Sequence, residues 1–166
     1  MRLGLAVAAV VALLDQLTKW LVVEKLFRPE GVWETPFYTP MRMELAPFFD
    51  LVMAWNRGVS FGVFNDGGRW NAVLLSGLSL VICAVLVAWL RKAPGLWVRL
   101  ALGGIIGGAL GNVVDRIRFG AVADFLDFHL AGHHWPAFNL ADSAITVGAT
   151  LLVLDSLFAR RNPSKN

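Results

Sequence analysis

The sequence predicts an all-α integral membrane protein with four transmembrane helices and both termini in the cytoplasm. Of the 166 residues, 57% are hydrophobic and only 16% are charged, which is markedly more apolar than a soluble domain of this length. The apolar residues are concentrated in four long blocks, and a helix of about 20 apolar residues spans the hydrocarbon core of a bilayer. We therefore predict a single membrane domain over residues 1–166.

The four helices are expected at about residues 3–23, 70–90, 96–115 and 142–159. The second block, Trp70 to Leu90, contains no charged residue, whereas the first contains Asp15 and Lys19. The opening stretch, MRLGLAVAAVVALL, is also compatible with a cleaved secretory signal peptide. Because apolar residues continue beyond Asp15 to full spanning length, we interpret it as a retained first helix.

The distribution of basic residues predicts the orientation of the helices, since cytoplasmic loops are enriched in lysine and arginine. One side of the four-helix arrangement carries Arg2, Arg91, Lys92, Arg99, Arg160, Arg161 and Lys165, with Asp155 as its only acid. The opposite side mixes acids and bases, so the connections at about 24–69 and 116–141 should face outward. The net charge of +3 then reflects orientation and contact with anionic lipids, and it does not indicate nucleic-acid binding.

The two outward connections differ in character. The first contains Pro29, Pro36, Pro40 and Pro47, and its short apolar and aromatic runs are broken by turn residues. This pattern predicts a small extracytoplasmic β-sheet or cradle between helices 1 and 2. Between helices 3 and 4 we expect only a short polar connection, and we find no repeat and no second domain.

Polar residues that are costly near lipid fall in one layer when the chain is threaded through this topology. Asp15 and Lys19 are four residues apart on one helix face and can pair. The same outer layer contains Asn56, Arg57, Asn112, Asp115, Arg116, Asp124, Asn139 and Asp142. A charge deep in a span costs about 2.5–3.5 kcal/mol on insertion scales, so this layer is the candidate functional site.

Each of these residues also has a purely structural explanation. Asp142 stands at the start of the fourth helix and can cap its unpaired N–H groups. Asp124 can be a solvated loop acid, and Asp115 and Arg116 can form an interface ion pair. Asp15 and Lys19 can hold helices together without taking part in chemistry.

Small residues in the second and third helices have a packing interpretation. Gly103, Gly107 and Gly111 recur every four residues beside Gly104 and Gly108, which is typical of a face that packs closely against another helix. Asn112 continues the stripe of Gly104 and Gly108. The single cysteine, Cys83, has no partner for a disulfide and no metal-ligand spacing, so we expect a small apolar core residue.

Four segments in order along the chain carry a family resemblance. DQLTK (15–19), WNRGVSFGVF (55–64), GNVVDRIRFGAVADF (111–125) and PAFNLADSAI (136–145) resemble the signature segments of lipoprotein signal peptidase, also called signal peptidase II. The resemblance covers nearly the whole chain, although the stretch between Lys25 and Ala46 is longer than in the family. It implies an aspartyl protease of the bacterial cytoplasmic (inner) membrane, with its active site on the extracytoplasmic side. Such an enzyme removes the signal peptide from prolipoproteins by cutting just before a cysteine that carries diacylglycerol.

Matching the motifs residue by residue implies that Asp124 and Asp142 are the catalytic pair. The resemblance further implies supporting or substrate-binding roles for Asp15, Lys19, Asn56, Asn112, Asp115, Arg116 and Asn139. Two neighbouring carboxyl groups share a proton because both cannot easily ionise, so one can act as base and the other as acid. We expect prolipoproteins, membrane lipids and the peptide antibiotic globomycin as partners, no nucleic acid, no metal or other cofactor, and a monomer.

Three other functions remain open at this stage. Gly58 to Gly62 matches G-x-S-x-G, but the serine-hydrolase elbow requires a large mixed sheet that four membrane spans leave no room for. A metal site could use His129, His133 and His134 together with Asp127. These residues lack the spacing of a zinc protease. A small membrane transporter or proton-conducting protein using Asp15, Asp115 and Asp142 is the alternative without an enzyme, but its acids would have to line a path.

Overall fold

The computed structural model describes residues 1–58 and 69–159. Its four long helices are α1 (Arg2–Trp20), α2 (Arg69–Leu90), α3 (Leu96–Phe119) and α4 (Leu140–Ala159). The spans Arg2–Leu26, Trp70–Leu90, Leu96–Phe119 and Leu140–Phe158 are each long and apolar enough to cross a membrane. The prediction of four membrane helices is therefore confirmed.

Helix α3 is the centre of the bundle. In its span 61% of the residues are buried, against 28% or less in the other three. A Cβ atom on Gly107 would lie 2.5 Å from the carbonyl oxygen of Ala8 on α1, and one on Gly104 would lie 3.4 Å from that of Ala144 on α4. The two glycine stripes predicted from the sequence therefore let two different neighbours approach the α3 backbone. Cys83 on α2 is buried in the same core, as expected.

The chain stays helical beyond the end of α1 at Trp20. It continues as a π-helical segment over Leu21–Leu26, on which Val22 and Val23 are buried. These two residues form a second core with Phe27, Phe37, Ala123 and Phe125. The end of α1 is thereby fixed against the sheet.

Outside the four long helices, the chain forms a four-stranded antiparallel sheet in the order β1 (Arg42–Ala46), β2 (Phe49–Asn56), β3 (Val122–Leu130) and β4 (His133–His134). Strands β2 and β3 pair so that Ala54 lies opposite Asp124. The sequence placed the sheet in the first connection alone and a short polar loop in the second. That expectation was wrong, because the second connection supplies β3 and β4.

The error has a physical reason. The first four residues of β3, Val122 to Phe125, are all buried, so the strand lacks the alternation of polar and apolar residues that identifies a half-exposed strand. Its partner β2 also lies more than 60 residues away in the sequence. Asp124 is therefore a buried strand residue, where the sequence had suggested a loop.

Gly120 connects the central helix to the sheet. Its backbone has φ of +70°, and its N–H donates to the carbonyl oxygen of Arg116 at 3.0 Å, which closes the C-terminus of α3. Glycine adopts this left-handed conformation without the steric cost that other residues incur. Strand β3 begins at Val122, so the end of α3 delivers Asp124 directly to the junction between the bundle and the sheet.

Candidate active site

The polar residues predicted to form one layer do meet, at the junction between the helix bundle and the sheet. They are carried by the C-terminal part of α1, the end of α3, the start of α4 and strands β2 and β3. Most of them are buried: Asp15, Lys19, Asn112, Asp115, Asp124 and Asn139. Buried polar groups require partners, and the hydrogen bonds of this layer supply them.

Lys19 is the cationic centre of the layer. Its Nζ lies 2.9 Å from Asp15 Oδ2 and 2.8 Å from Asp115 Oδ2, and it donates to Asn112 Oδ1 at 2.9 Å. The three donors of the ammonium group are thus matched by three acceptors. The predicted pairing of Asp15 and Lys19 is confirmed, and it extends to α3 through Asp115.

The same two acids also hold the backbone next to Asp124 and Asp142. Asp115 Oδ2 accepts a hydrogen bond from the N–H of Ala123 at 3.1 Å, and Asp15 Oδ1 accepts one from the N–H of Ala141 at 3.0 Å. Ala123 immediately precedes Asp124, and Ala141 immediately precedes Asp142. Each supporting acid therefore fixes the chain one residue before one member of the predicted pair.

Asp142 both contributes to the helix cap and faces the layer. Asn139 Oδ1 accepts from the N–H of Asp142 at 3.0 Å, while Asp142 Oδ2 accepts from the N–H of Asn139 at 3.2 Å. This is the reciprocal geometry of a capping box, with Asn139 as the cap. The other carboxylate oxygen, Oδ1, accepts from Asn112 Nδ2 at 2.9 Å, so capping occupies only one side of Asp142.

Asp124 is held by two asparagine amides. Its Oδ1 accepts from Asn139 Nδ2 at 2.7 Å, and its Oδ2 accepts from Asn56 Nδ2 at 3.0 Å. Asn139 thus donates to both acids, through its side chain to Asp124 and through its backbone to Asp142. Burial of the carboxyl group, followed by the negative charge of Asp142, raises the pKa of Asp124 to about 7.

The surroundings of Asp124 favour its protonated form. Desolvation and a like charge both oppose ionisation of Asp124, and the neighbouring Asp142 accepts hydrogen bonds from Asn112 and from the backbone of Asn139. Asp124 is therefore suited to hold a proton beside a second carboxyl group. Together they can supply an acid and a base for general acid–base chemistry.

The two arginines near the layer occupy different environments. Arg116 is half-buried, its Nη1 donates a 3.5 Å hydrogen bond to the carbonyl oxygen of Asn112, and its Nε has no partner among residues 1–58 and 69–159. Arg57 is exposed and bonds the hydroxyl of Tyr38. Both line a cavity of about 760 Å³ between α2, the end of α3 and the first connection.

Gln16 belongs to the layer, although sequence reasoning missed it. Its Nε2 donates to Asp115 Oδ1 at 2.8 Å and to the carbonyl oxygen of Gly111 at 3.1 Å. The available signal was its position within the segment DQLTK, between the two charged residues that were selected. Gln16 was not selected because it is uncharged, and the selection rested mainly on the cost of placing charged groups near lipid.

The described residues that were considered for other chemistries pair outside this layer. Ser60 and most of the G-x-S-x-G segment fall outside the described residues. His129 Nε2 lies 3.0 Å from Asp50 Oδ2, and His134 Nδ1 lies 2.8 Å from Asp127 Oδ2. Within the described part of the chain, no group of three or more His, Cys, Asp or Glu side chains converges as a metal-ligand set.

A comparison with protein families identifies the chain. The model of the family described as signal peptidase (SPase) II matches residues 7–158. This chain belongs to the signal peptidase II family. Membership makes it a protease, a hydrolase of lipoprotein processing, and its four apolar spans make it a multi-pass membrane protein.

Relatives and solved structures agree with the assignment to the signal peptidase II family. The lipoprotein signal peptidase of Paraburkholderia phytofirmans is 48% identical over 157 residues, covering 92% of this chain and 83% of its own. That of Aeromonas hydrophila is 46% identical over 155 residues, covering 92% and 86%. Two structures titled as a bacterial membrane enzyme, solved by the in meso method at 2.3 and 1.9 Å resolution, superpose with TM-scores of 0.78 and 0.76. Their identities are 26% and 27%, and the matches cover 98% and 93% of this chain and 92% of each structure.

Proposed function

We propose that this protein is an aspartyl endopeptidase that removes the signal peptide from bacterial prolipoproteins. The cut is made on the N-terminal side of the cysteine that carries diacylglycerol. The observation that best supports Asp124 and Asp142 as the catalytic pair is their joint hydrogen bonding to Asn139, at 2.7 and 3.2 Å. A structural cap alone would not require a second, buried acid on the same asparagine.

The mechanism follows from one proton shared by two acids. Because the pKa of Asp124 is raised to about 7, Asp124 holds the shared proton, and its partner Asp142 takes a proton from water as the water oxygen attacks the scissile carbonyl carbon. Asp124 gives its proton to the carbonyl oxygen, so a neutral gem-diol forms. When the C–N bond breaks, Asp142 passes its proton to the amine and Asp124 recovers one from a gem-diol hydroxyl, which restores the starting state.

The remaining polar residues of the layer hold this pair in place. Lys19, Asp15 and Asp115 fix the backbone before each acid, and Asn56, Asn112 and Asn139 orient the carboxyl oxygens. Arg116 and the cavity that it lines border the end of α3, where a substrate with a membrane-embedded signal helix and a lipid-anchored cysteine can approach. We propose the bacterial inner membrane, with the site on its extracytoplasmic side, as the location.

The deciding experiment is cleavage of a diacylglyceryl-modified prolipoprotein by the purified protein in detergent or lipid. We expect cleavage before the modified cysteine, inhibition by globomycin and no cleavage by Asp124→Asn. An unmodified prolipoprotein serves as the negative substrate. Full turnover under saturating globomycin would contradict the assignment. The transporter alternative finds less support, because Asp15, Asp115 and Asp142, the acids that it would use, gather in one layer at one end of the bundle.

The orientation predicts where reporter fusions will be active. A fusion after Asn166 should report a cytoplasmic location, and an insertion within 29–47 should report an external one, because the basic residues at the opposite end of the bundle retain that end in the cytoplasm. An external signal from the C-terminal fusion would reverse the proposed side of the active site.

Cleavage is expected to be independent of serine and metal chemistry. Ser60→Ala should retain substantial turnover, and EDTA or phenanthroline should leave the rate unchanged, because the acid pair supplies both proton transfers. The measurement is the initial rate at saturating substrate, with Ser79→Ala on α2 as a matched serine control. A folded Ser60→Ala protein without activity would instead support the serine elbow.

Cleavage should also depend on pH in a defined direction. The active pair carries one proton, and with the pKa of Asp124 raised to about 7 that proton is lost as the pH rises through this value. We therefore expect kcat/KM to fall above pH about 7 with a slope of one proton. A pH series in which kcat/KM keeps rising to about pH 9 would show that the singly protonated pair is not the active form.

A further inference from the structure

Outside the acid layer, Arg28 has five side-chain hydrogen bonds within the described part of the chain. Its Nε and one terminal nitrogen donate to both carboxylate oxygens of Glu24, at 2.6 and 2.7 Å. The same terminal nitrogen donates to Thr35 Oγ1 at 2.6 Å, and the other donates to the carbonyl oxygens of Val32 and Glu34 at 3.1 and 3.4 Å. All five N–H groups of the guanidinium thus have an acceptor.

These contacts join the π-helical end of α1 to the loop that follows it. Glu24 lies on that helical segment, whereas the other acceptors lie on the loop. The guanidinium carbon is also 5.5 Å from the ring centroid of Phe37, and Phe37 is buried, with 4% of its surface exposed. Arg28 therefore fixes the path of the chain up to Phe37.

Phe37 in turn contacts the strand that reaches the active site. Its carbonyl oxygen accepts a 2.7 Å hydrogen bond from Trp55 Nε1, and the two rings meet edge to face at 6.0 Å. Trp55 is the register partner of Ala123 on β3. The next residue on β2, Asn56, donates to Asp124 Oδ2 at 3.0 Å.

We propose that Arg28 is a positioning residue for the acid pair, acting through Phe37 and Trp55 on the amide of Asn56 that holds Asp124. The inference rests on the proposed function, since it assigns Arg28 a part in catalysis without any contact with substrate. It also gives the loop between α1 and β1 a function, which is to brace the end of β2 from the face opposite Asp124.

The set of hydrogen bonds made by Arg28 requires an arginine. A lysine keeps the positive charge but has three donors on one nitrogen, and it cannot bond both oxygens of Glu24 while reaching three loop acceptors. Arg28→Lys should therefore release the loop without changing the net charge. Arg91→Lys, at an exposed position in the connection between α2 and α3, is the matched control.

The kinetic test separates positioning from folding. Per active enzyme, Arg28→Lys should lower kcat by about ten- to a hundredfold, the size expected for a small displacement of a catalytic group, with KM little changed. The basic limb of the pH profile should move to higher pH, because the Asn56 hydrogen bond lowers the pKa of Asp124 and its loss raises it. The other charged groups around Asp124 are Asp142, Lys19 and Arg116, and none of them bonds Arg28.

Asn56→Ala should reproduce the shifted limb, and adding Arg28→Lys to it should have little further effect, because both changes act on one hydrogen bond. The proposal would be overturned if Arg28→Lys left both kcat and the basic limb of the pH profile unchanged. So would a simple loss of folded protein with normal kinetics in the remainder.

Backbone hydrogen exchange tests the same link without any substrate. We expect Arg28→Lys to accelerate exchange at Trp55 and Asn56 as well as in the loop, relative to wild type and Arg91→Lys. Acceleration confined to the loop would overturn the proposal. Absence of cleavage by the wild-type protein would instead refute the proposed function, so the two failures are distinguishable.

Discussion

Asp124→Asn and Asp142→Asn are each expected to abolish cleavage of a diacylglyceryl-modified prolipoprotein. If one acid activates water and the other donates a proton, the loss of either stops the cycle. The double variant should be little worse than either single variant, because residues that act as one unit have strongly non-additive effects. The measurement is the single-turnover rate with purified protein, and Asp155→Asn, at an exposed position of α4, is the control.

The structure indicates that both variants can fold. Asparagine keeps the size of aspartate and one acceptor oxygen, so Asp142→Asn can still accept the N–H of Asn139 and complete the cap. In each variant the new side-chain NH2 group faces an amide NH2 that the carboxylate had accepted from. This unpaired contact costs about 1–3 kcal/mol. Near wild-type turnover by Asp142→Asn, together with unfolding of Asp142→Ala, would reduce Asp142 to a helix cap.

Asp15→Ala should lower the yield of folded protein as well as activity. Asp15 is fully buried beside Lys19, at 2.9 Å, and also accepts the N–H of Ala141. Removing one partner of a buried ion pair typically costs about 3–5 kcal/mol, because the remaining charge loses its compensation. We would measure recovery after gel filtration and thermal denaturation in detergent, with Asp155→Ala as the same change at an exposed acid.

Lys19→Met should have a larger effect than Asp15→Ala. The substitution keeps most of the side-chain volume but removes the only cation bonded to Asp15 and Asp115 among the described residues. The carboxyl groups of Asp15 and Asp115 would then be buried without a cation. They would either take up protons or release the backbone N–H groups of Ala141 and Ala123 that they hold. A stable Asp15→Ala or Lys19→Met protein without turnover would instead assign that residue a direct role in the chemistry.

The polar layer explains why so much of the candidate site was predictable. Charged and amide residues are excluded from lipid, so their places near the ends of apolar blocks, combined with alternating helix direction, brought Asp15, Asn112 and Asp142 to one level. Their individual partners were not predictable in this way. Helix spacing indicated that Asp15 and Lys19 pair, but nothing local indicated that Asp115 completes the contact from α3.

The sequence by itself determined the four membrane spans and the membership of the signal peptidase II family, because apolar length and motif order are local properties of the chain. Only the tertiary structure decided that Asp124 lies on a strand, that Asn139 bonds both acids and that Asp15 and Asp115 hold the backbone before them. Asn56 and Asp124 are 68 residues apart, and Asp15 and Ala141 are 126 apart. Such contacts depend on how β2 pairs with β3 and how α1 and α4 pack on α3, and these are arrangements that no local pattern specifies.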